Sequence, residues 1–134
     1  VTRAEAAEKV AKLRRLAERN NSPAEADSAR KRADKLTKEY GLNETELSLG
    51  SRAAAFDDLM DELNAFVKKH DVPATVLETI ELVKTKTGKE DKADALGKIV
   101  AGVRTVSLFF LFNKEVAGVK ATVDAVLKKH GVTV

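Results

Sequence analysis

The stretch Ile99–Phe112, IVAGVRTVSLFFLF, constrains this chain most. It holds three of the five phenylalanines, Phe109, Phe110 and Phe112, beside Leu108 and Leu111. No earlier segment has a comparable run, so the other elements are expected to pack around it. Leu96, Ile99, Val100 and Val103 keep the spacing of one helical face. From Val106 onward the residues are apolar all round, the pattern of a helix buried on every side. A strand over Thr105–Phe112 is the competing reading, because β-branched and aromatic residues gather there. No second strand is evident to pair with it, so a helix is preferred. The run is too short to cross a bilayer, and Arg104 interrupts it.

Elsewhere the spacing is helical throughout. Ala6, Val10, Leu13 and Ala17 form one stripe over Thr2–Arg19, with Leu16 at its edge. Ser22-Pro23-Ala24-Glu25 has the form of a capping box with Pro at the first helical position. The helix it starts carries Ala26, Ala29, Ala33, Leu36 and Tyr40, and Gly41 is its left-handed stop. Asn43–Gly50 reads as a connector, with Asn43 and Glu46 capping one short turn and Leu47 and Leu49 pinning it to the core. Ser51 then caps a helix over Arg52–His70, whose buried positions are Phe56, Leu59, Met60, Leu63, Phe66 and Val67. Val76, Leu77, Ile80 and Val83 mark the next helix, ended by Gly88. Lys89–Lys92 is a charged turn with Asp91 as a cap. Asn113 marks a break before a last helix, Lys114–His130, which buries Val116, Val119, Val123, Val126 and Leu127, with Gly131 after it. Leu63–Val72 and Val123–Val132 echo each other, as a duplication or as a shared helix ending.

The expected fold is therefore all-α, with five or six helices. An N-terminal antiparallel helical hairpin over 1–42 packs on a four-helix body over 51–134, and 43–50 connects them. With 134 residues such a chain can fold without staples. It has no cysteine, which removes disulfides and thiolate chemistry together. Val1–Asn20 is charged throughout and has no signal-peptide core. A cytoplasmic location is expected.

The hairpin carries a resemblance. Glu8-Lys9-Val10-Ala11-Lys12-Leu13-Arg14-Arg15-Leu16-Ala17-Glu18, then Asn21, Glu25-Ala26, Ala29, Ala33, Leu36 and Tyr40-Gly41-Leu42, resembles a short bacterial and bacteriophage hairpin family, domain-of-unknown-function family 2786. Its pattern is roughly K-hydrophobic-x-K-L-L-x-L-A, a turn, E-A-x-x-A, then a helix ending K-[HY]-G-L. Arg15 departs from it, standing where that family usually has an apolar residue. The resemblance implies helical structure and a phage, prophage or mobile-element setting, in the host cytoplasm or a virion. It supplies no catalytic residue.

The residues themselves point away from an enzyme. Both histidines, His70 and His130, fall at helix ends without a second ligand at metal-binding spacing, so dipole capping is their expected role. Asp57, Asp58, Asp61 and Glu62 can hold a cation or do acid–base work. Near a helix start they are better read as complementing its dipole. No serine has a histidine neighbour, and no glycine-rich phosphate loop appears; Gly41, Gly50, Gly88 and Gly131 punctuate helices. No metal or cofactor is expected.

Two binding readings remain. In the first, a protein partner, either a host factor or an assembly subunit, contacts a helix face or the Phe109, Phe110 and Phe112 segment wherever that segment is not buried. A homo-oligomer would use the same surface, and no membrane partner is expected. In the second, Arg14, Arg15, Arg19, Arg30, Lys31 and Lys35 present a basic hairpin face to nucleic-acid phosphates. The charge is segregated: residues 1–42 hold 11 Lys+Arg against 7 Asp+Glu, 43–91 hold 6 against 11, and 92–134 hold 7 against 3. That asymmetry serves association or simply a solvated surface. Against nucleic acid stand the interspersed Glu18, Glu25, Asp27, Asp34 and Glu39 and the lack of a stacking aromatic.

Overall fold

The structure, a computed structural model, describes residues 1–87 and 91–134. The described residues are all-helical. The elements are α1 (Arg3–Arg19), α2 (Pro23–Tyr40), α3 (Glu44–Lys69), α4 (Ala74–Lys86), α5 (Lys92–Phe109) and α6 (Lys114–Lys129). Two compact units divide the chain, Val1–Ala54 and Ala55–Val134. None of the described helices is long and apolar enough to cross a membrane. The stop at Gly88 and the first half of the charged turn at Lys89–Lys92 lie outside the described residues.

In the first unit α1 and α2 form the hairpin. Ala6, Ala7, Val10 and Ala17 are buried on α1, and Ala26, Ala29 and Ala33 on α2. These small side chains let the two backbones approach closely. Ser22 caps α2 through the Glu25 amide at 3.5 Å. Only half of the expected box forms, because Glu25 instead takes the Asn20 amide at 2.8 Å and Asn20 accepts from the Ser22 N–H. Gly41, at φ 59°, ends the helix as a left-handed cap.

The segment expected to connect the hairpin to the body is helix instead. Asn43 and Glu46 form a reciprocal capping box, Glu46 N to Asn43 Oδ1 at 2.8 Å and Asn43 N to Glu46 Oε1 at 3.2 Å. The helix they start does not stop after one turn but runs through Gly50 and Ser51 to Lys69. Gly50 is a contact residue rather than punctuation: a Cβ there would lie 2.4 Å from the Ala7 backbone. Arg3 fastens the start of α3 to the end of α2, gripping the Glu46 carboxylate with two bonds of 2.8 Å and the carbonyls of Tyr40 and Gly41. That hydrogen bond holds the Glu46 carboxyl below the usual range. Leu47 packs on the unit's core, whereas Leu49 is exposed.

The second unit has one core, built from Phe56, Leu59, Met60 and Leu63 of α3, Val76, Ile80 and Val83 of α4, Leu96, Ile99, Val100 and Val103 of α5, and five residues of α6. Leu77, expected inside, is exposed, since it lies off the face that Val76, Ile80 and Val83 define. Asp91 caps α5 through the Ala93 amide at 2.7 Å, and Gly131 is left-handed as expected.

Candidate functional site

The central expectation fails at the end of α5. Residues 105–109 are helical, but they are not buried on every side. The core face runs from Val103 through Val106 to Phe110, which are the residues that pack inward. Leu108, Phe109 and Leu111 are 70–79% exposed, and Phe112 is fully exposed. Hydropathy had no means of showing this, because among the described residues of the second unit no element covers that side.

This apolar corner is held by backbone bonds. The Phe110 N–H donates to the Ser107 carbonyl at 3.3 Å, and the Asn113 N–H to the Phe110 carbonyl at 3.0 Å. Asn113 then caps α6 through the amides of Glu115 and Val116 at 2.9 and 3.1 Å. Beside the corner lies a cleft of about 510 Å³, lined among others by Leu108, Phe110, Leu111, Val116, Arg104 and Lys120. Of the three phenylalanines singled out in the sequence, Phe109 and Phe112 face solvent and Phe110 is half-buried.

The basic residues proposed from the sequence differ in their surroundings. Arg14, Arg19 and Lys31 are exposed. Arg15 is half-buried, with its Nε enclosed and its guanidinium 3.4 Å from Glu18. Arg30 pairs with Asp27 at 3.5 Å. Lys35 lines a cleft of about 550 Å³ between α1 and α2. Its other cations are Lys9, Lys12 and Arg32, which sequence reasoning passed over. Their signal was present: Lys9, Lys12 and Leu13, like Arg32, Lys35 and Leu36, repeat at three and four residues.

The carboxylates of α3 sit mid-helix, because α3 begins at Glu44, so the helix dipole does not explain them. Ion pairs do. Lys92 reaches Asp57 at 3.0 Å. His130 Nε2 donates to Asp58 at 2.8 Å, with Lys129 at 3.1 Å. Asp61 and Glu62 are exposed. His70 stacks on Phe66 and meets Glu115 at 3.0 Å. Among the described residues no three His, Asp or Glu side chains gather as a metal site.

Asp58 gives a pH prediction. Burial pushes its carboxyl up, but the bonds from His130 and Lys129 outweigh that and leave it below the ordinary aspartate value. A lowered folded-state pKa adds stability above the unfolded value and loses it as pH falls through the folded one. Asp58→Asn is expected to cost about 1–2 kcal/mol at neutral pH. In urea unfolding the difference from the parent should shrink as pH falls below the ordinary aspartate value of about 3.9 and through the lower folded one. A gap that stays constant with pH would show that ionisation is not its source.

Comparison with known proteins reaches only the hairpin. No curated protein and no solved structure matches the chain. Residues 5–44, from the first turns of α1 to the first residue of α3, match the model of a family described as Protein of unknown function (DUF2786), so the resemblance read from this part of the sequence holds there.

Proposed function

We propose that this chain is a non-enzymatic protein-binding or assembly protein of a phage or mobile genetic element. It acts on a host factor or within a complex, in the host cytoplasm or the virion, and its contact surface is the corner between α5 and α6. The exposure of Leu108, Phe109, Leu111 and Phe112 carries this reading. Burying one such side chain is worth ~1.5–3 kcal/mol, so leaving four open forgoes roughly 6 kcal/mol or more. Monomeric domains rarely leave apolar residues contiguous in this way unless something covers them. The mobile-element setting rests on the resemblance of the hairpin alone.

The test is capture of partners from host lysate with the intact protein, treated with nuclease, beside Phe109→Ser/Phe112→Ser. Both residues are exposed, so the double variant should fold within about 0.5 kcal/mol of the parent. A stoichiometric partner should survive nuclease and salt with the parent. Its affinity should fall ~10²–10³-fold with the variant, as two aromatic anchors are removed. Equal capture by both proteins would sink the reading. Sedimentation of the pair shows whether a second copy is the partner.

A second reading, nucleic-acid binding by the hairpin, is favoured by the four cations around the α1–α2 cleft. Recovery of nucleic acid alone, lost steeply with salt, would promote it.

A further inference from the structure

We propose that the cleft between α1 and α2 receives an acidic amphipathic helix of a partner protein. The inference stands on the first unit alone and is independent of the corner between α5 and α6. The cleft has cations on both walls, Lys9 and Lys12 on α1 and Arg32 and Lys35 on α2, and a floor of Leu13 and Leu36. Both leucines are half-buried, packed on the core from one side and open to the cleft on the other. Glu39 lines the cleft too.

The charges make the cleft electropositive. Lys12 lies 3.9 Å from Glu8 and is partly balanced. Lys9, Arg32 and Lys35 have no such pair among the described residues, whereas Arg15 and Arg30 are each paired with an acid on their own helix. The cleft therefore calls for an anion, and its floor decides which kind. A phosphodiester strand laid here would set charged oxygens against two leucines, where desolvation opposes it. No aromatic lines the cleft for a base to stack on. An amphipathic helix meets both parts at once, with its apolar stripe on Leu13 and Leu36 and flanking carboxylates on Lys9, Arg32 and Lys35. From Arg32 to Glu39 α2 rises about 10 Å, which is two turns of the incoming helix. The recognised pattern is thus apolar residues at i, i+3 or i+4, and i+7, bordered by Asp or Glu.

The test is anisotropy titration of the intact protein with a labelled synthetic helix. Its stripe is leucine and its borders are glutamate, and a second peptide has lysine borders instead. The glutamate peptide should bind at least tenfold more tightly. Arg32→Glu/Lys35→Glu should invert that preference, and Lys9→Glu/Lys12→Glu on the opposite wall should invert it too, so a fold defect in one helix cannot imitate the result. Phe109→Ser/Phe112→Ser should leave it unchanged, which separates this inference from the proposal for the α5–α6 corner. Equal binding of both peptides, or a preference that survives the reversals, would overturn it. So would displacement of the glutamate peptide by an oligonucleotide at lower concentration, which would assign the cleft to nucleic acid.

Discussion

Gly50→Leu is expected to destabilise the first unit by about 4 kcal/mol or more. Gly50 lies inside α3, where glycine costs a helix ~1 kcal/mol relative to alanine, so propensity alone predicts a gain on substitution. The neighbour reverses the sign. A Cβ would stand 2.4 Å from the Ala7 carbonyl carbon and oxygen and 2.8 Å from its Cβ. Two of those atoms are backbone and have no rotamer to yield with. α3 and α1 must part, which uncovers Ala6, Ala7 and Val10 and strains the Arg3 grip on Glu46. Gly97 is the control. It too lies within a helix, α5, but a Cβ there meets nothing within 4 Å. Gly97→Ala should therefore stabilise by up to ~1 kcal/mol. Tyr40 is the one tyrosine and packs on the first unit's core, so its fluorescence during urea unfolding reads the Gly50 effect directly. Equal shifts of the same sign for both glycines would show that helix propensity alone governs them.

The same residue shows what was legible in the sequence. Several signals complete within one turn read correctly: the caps at Ser22, Asn43 and Asp91, the break at Asn113, and the left-handed Gly41 and Gly131, whereas Ser51, read as a cap, lies inside α3. The apolar stripes of α1, α2 and α6 did too, because periodicity is a property of the helix alone. Gly50 did not, since its role is set by Ala7, a distant residue that no local pattern names. The acids of α3 were assigned to a helix start only because that start was misplaced. The cations around the α1–α2 cleft were not legible for a related reason. Which cations share a cleft depends on the register of α1 against α2, and this brings Lys9 beside Lys35 while Arg30 and Arg15 pair locally. The apolar run at the end of α5 was the largest signal and the most misread. A sequence shows how much apolar surface a segment carries, and only the packed chain shows whether enough neighbours exist to cover it.

Where those neighbours do exist, removing one side chain should have a large effect. Leu96→Ala is expected to cost about 3–4 kcal/mol, in the upper part of the range for buried leucine. Leu96 is wholly buried in the second unit's core. What decides the magnitude is whether the surroundings can collapse into the hole. Much of that core is valine: Val76, Val83, Val100, Val103, Val116, Val119, Val123 and Val126. A helical valine is held near one rotamer, so it cannot swing inward to fill space as a methionine can. The unit comprises Ala55–Val134, and a domain of that size has a total stability of only about 4–12 kcal/mol. Leu96→Ala should accordingly lower the thermal midpoint by roughly 15–25 °C, followed by far-ultraviolet circular dichroism. Leu82→Ala is the matched control on α4, 55% exposed and expected within about 0.5 kcal/mol of the parent. A small loss at Leu96, comparable with that at Leu82, would mean that the valine shell does close around the gap. The apolar corner of α5 would then join onto a core far more deformable than its side chains imply.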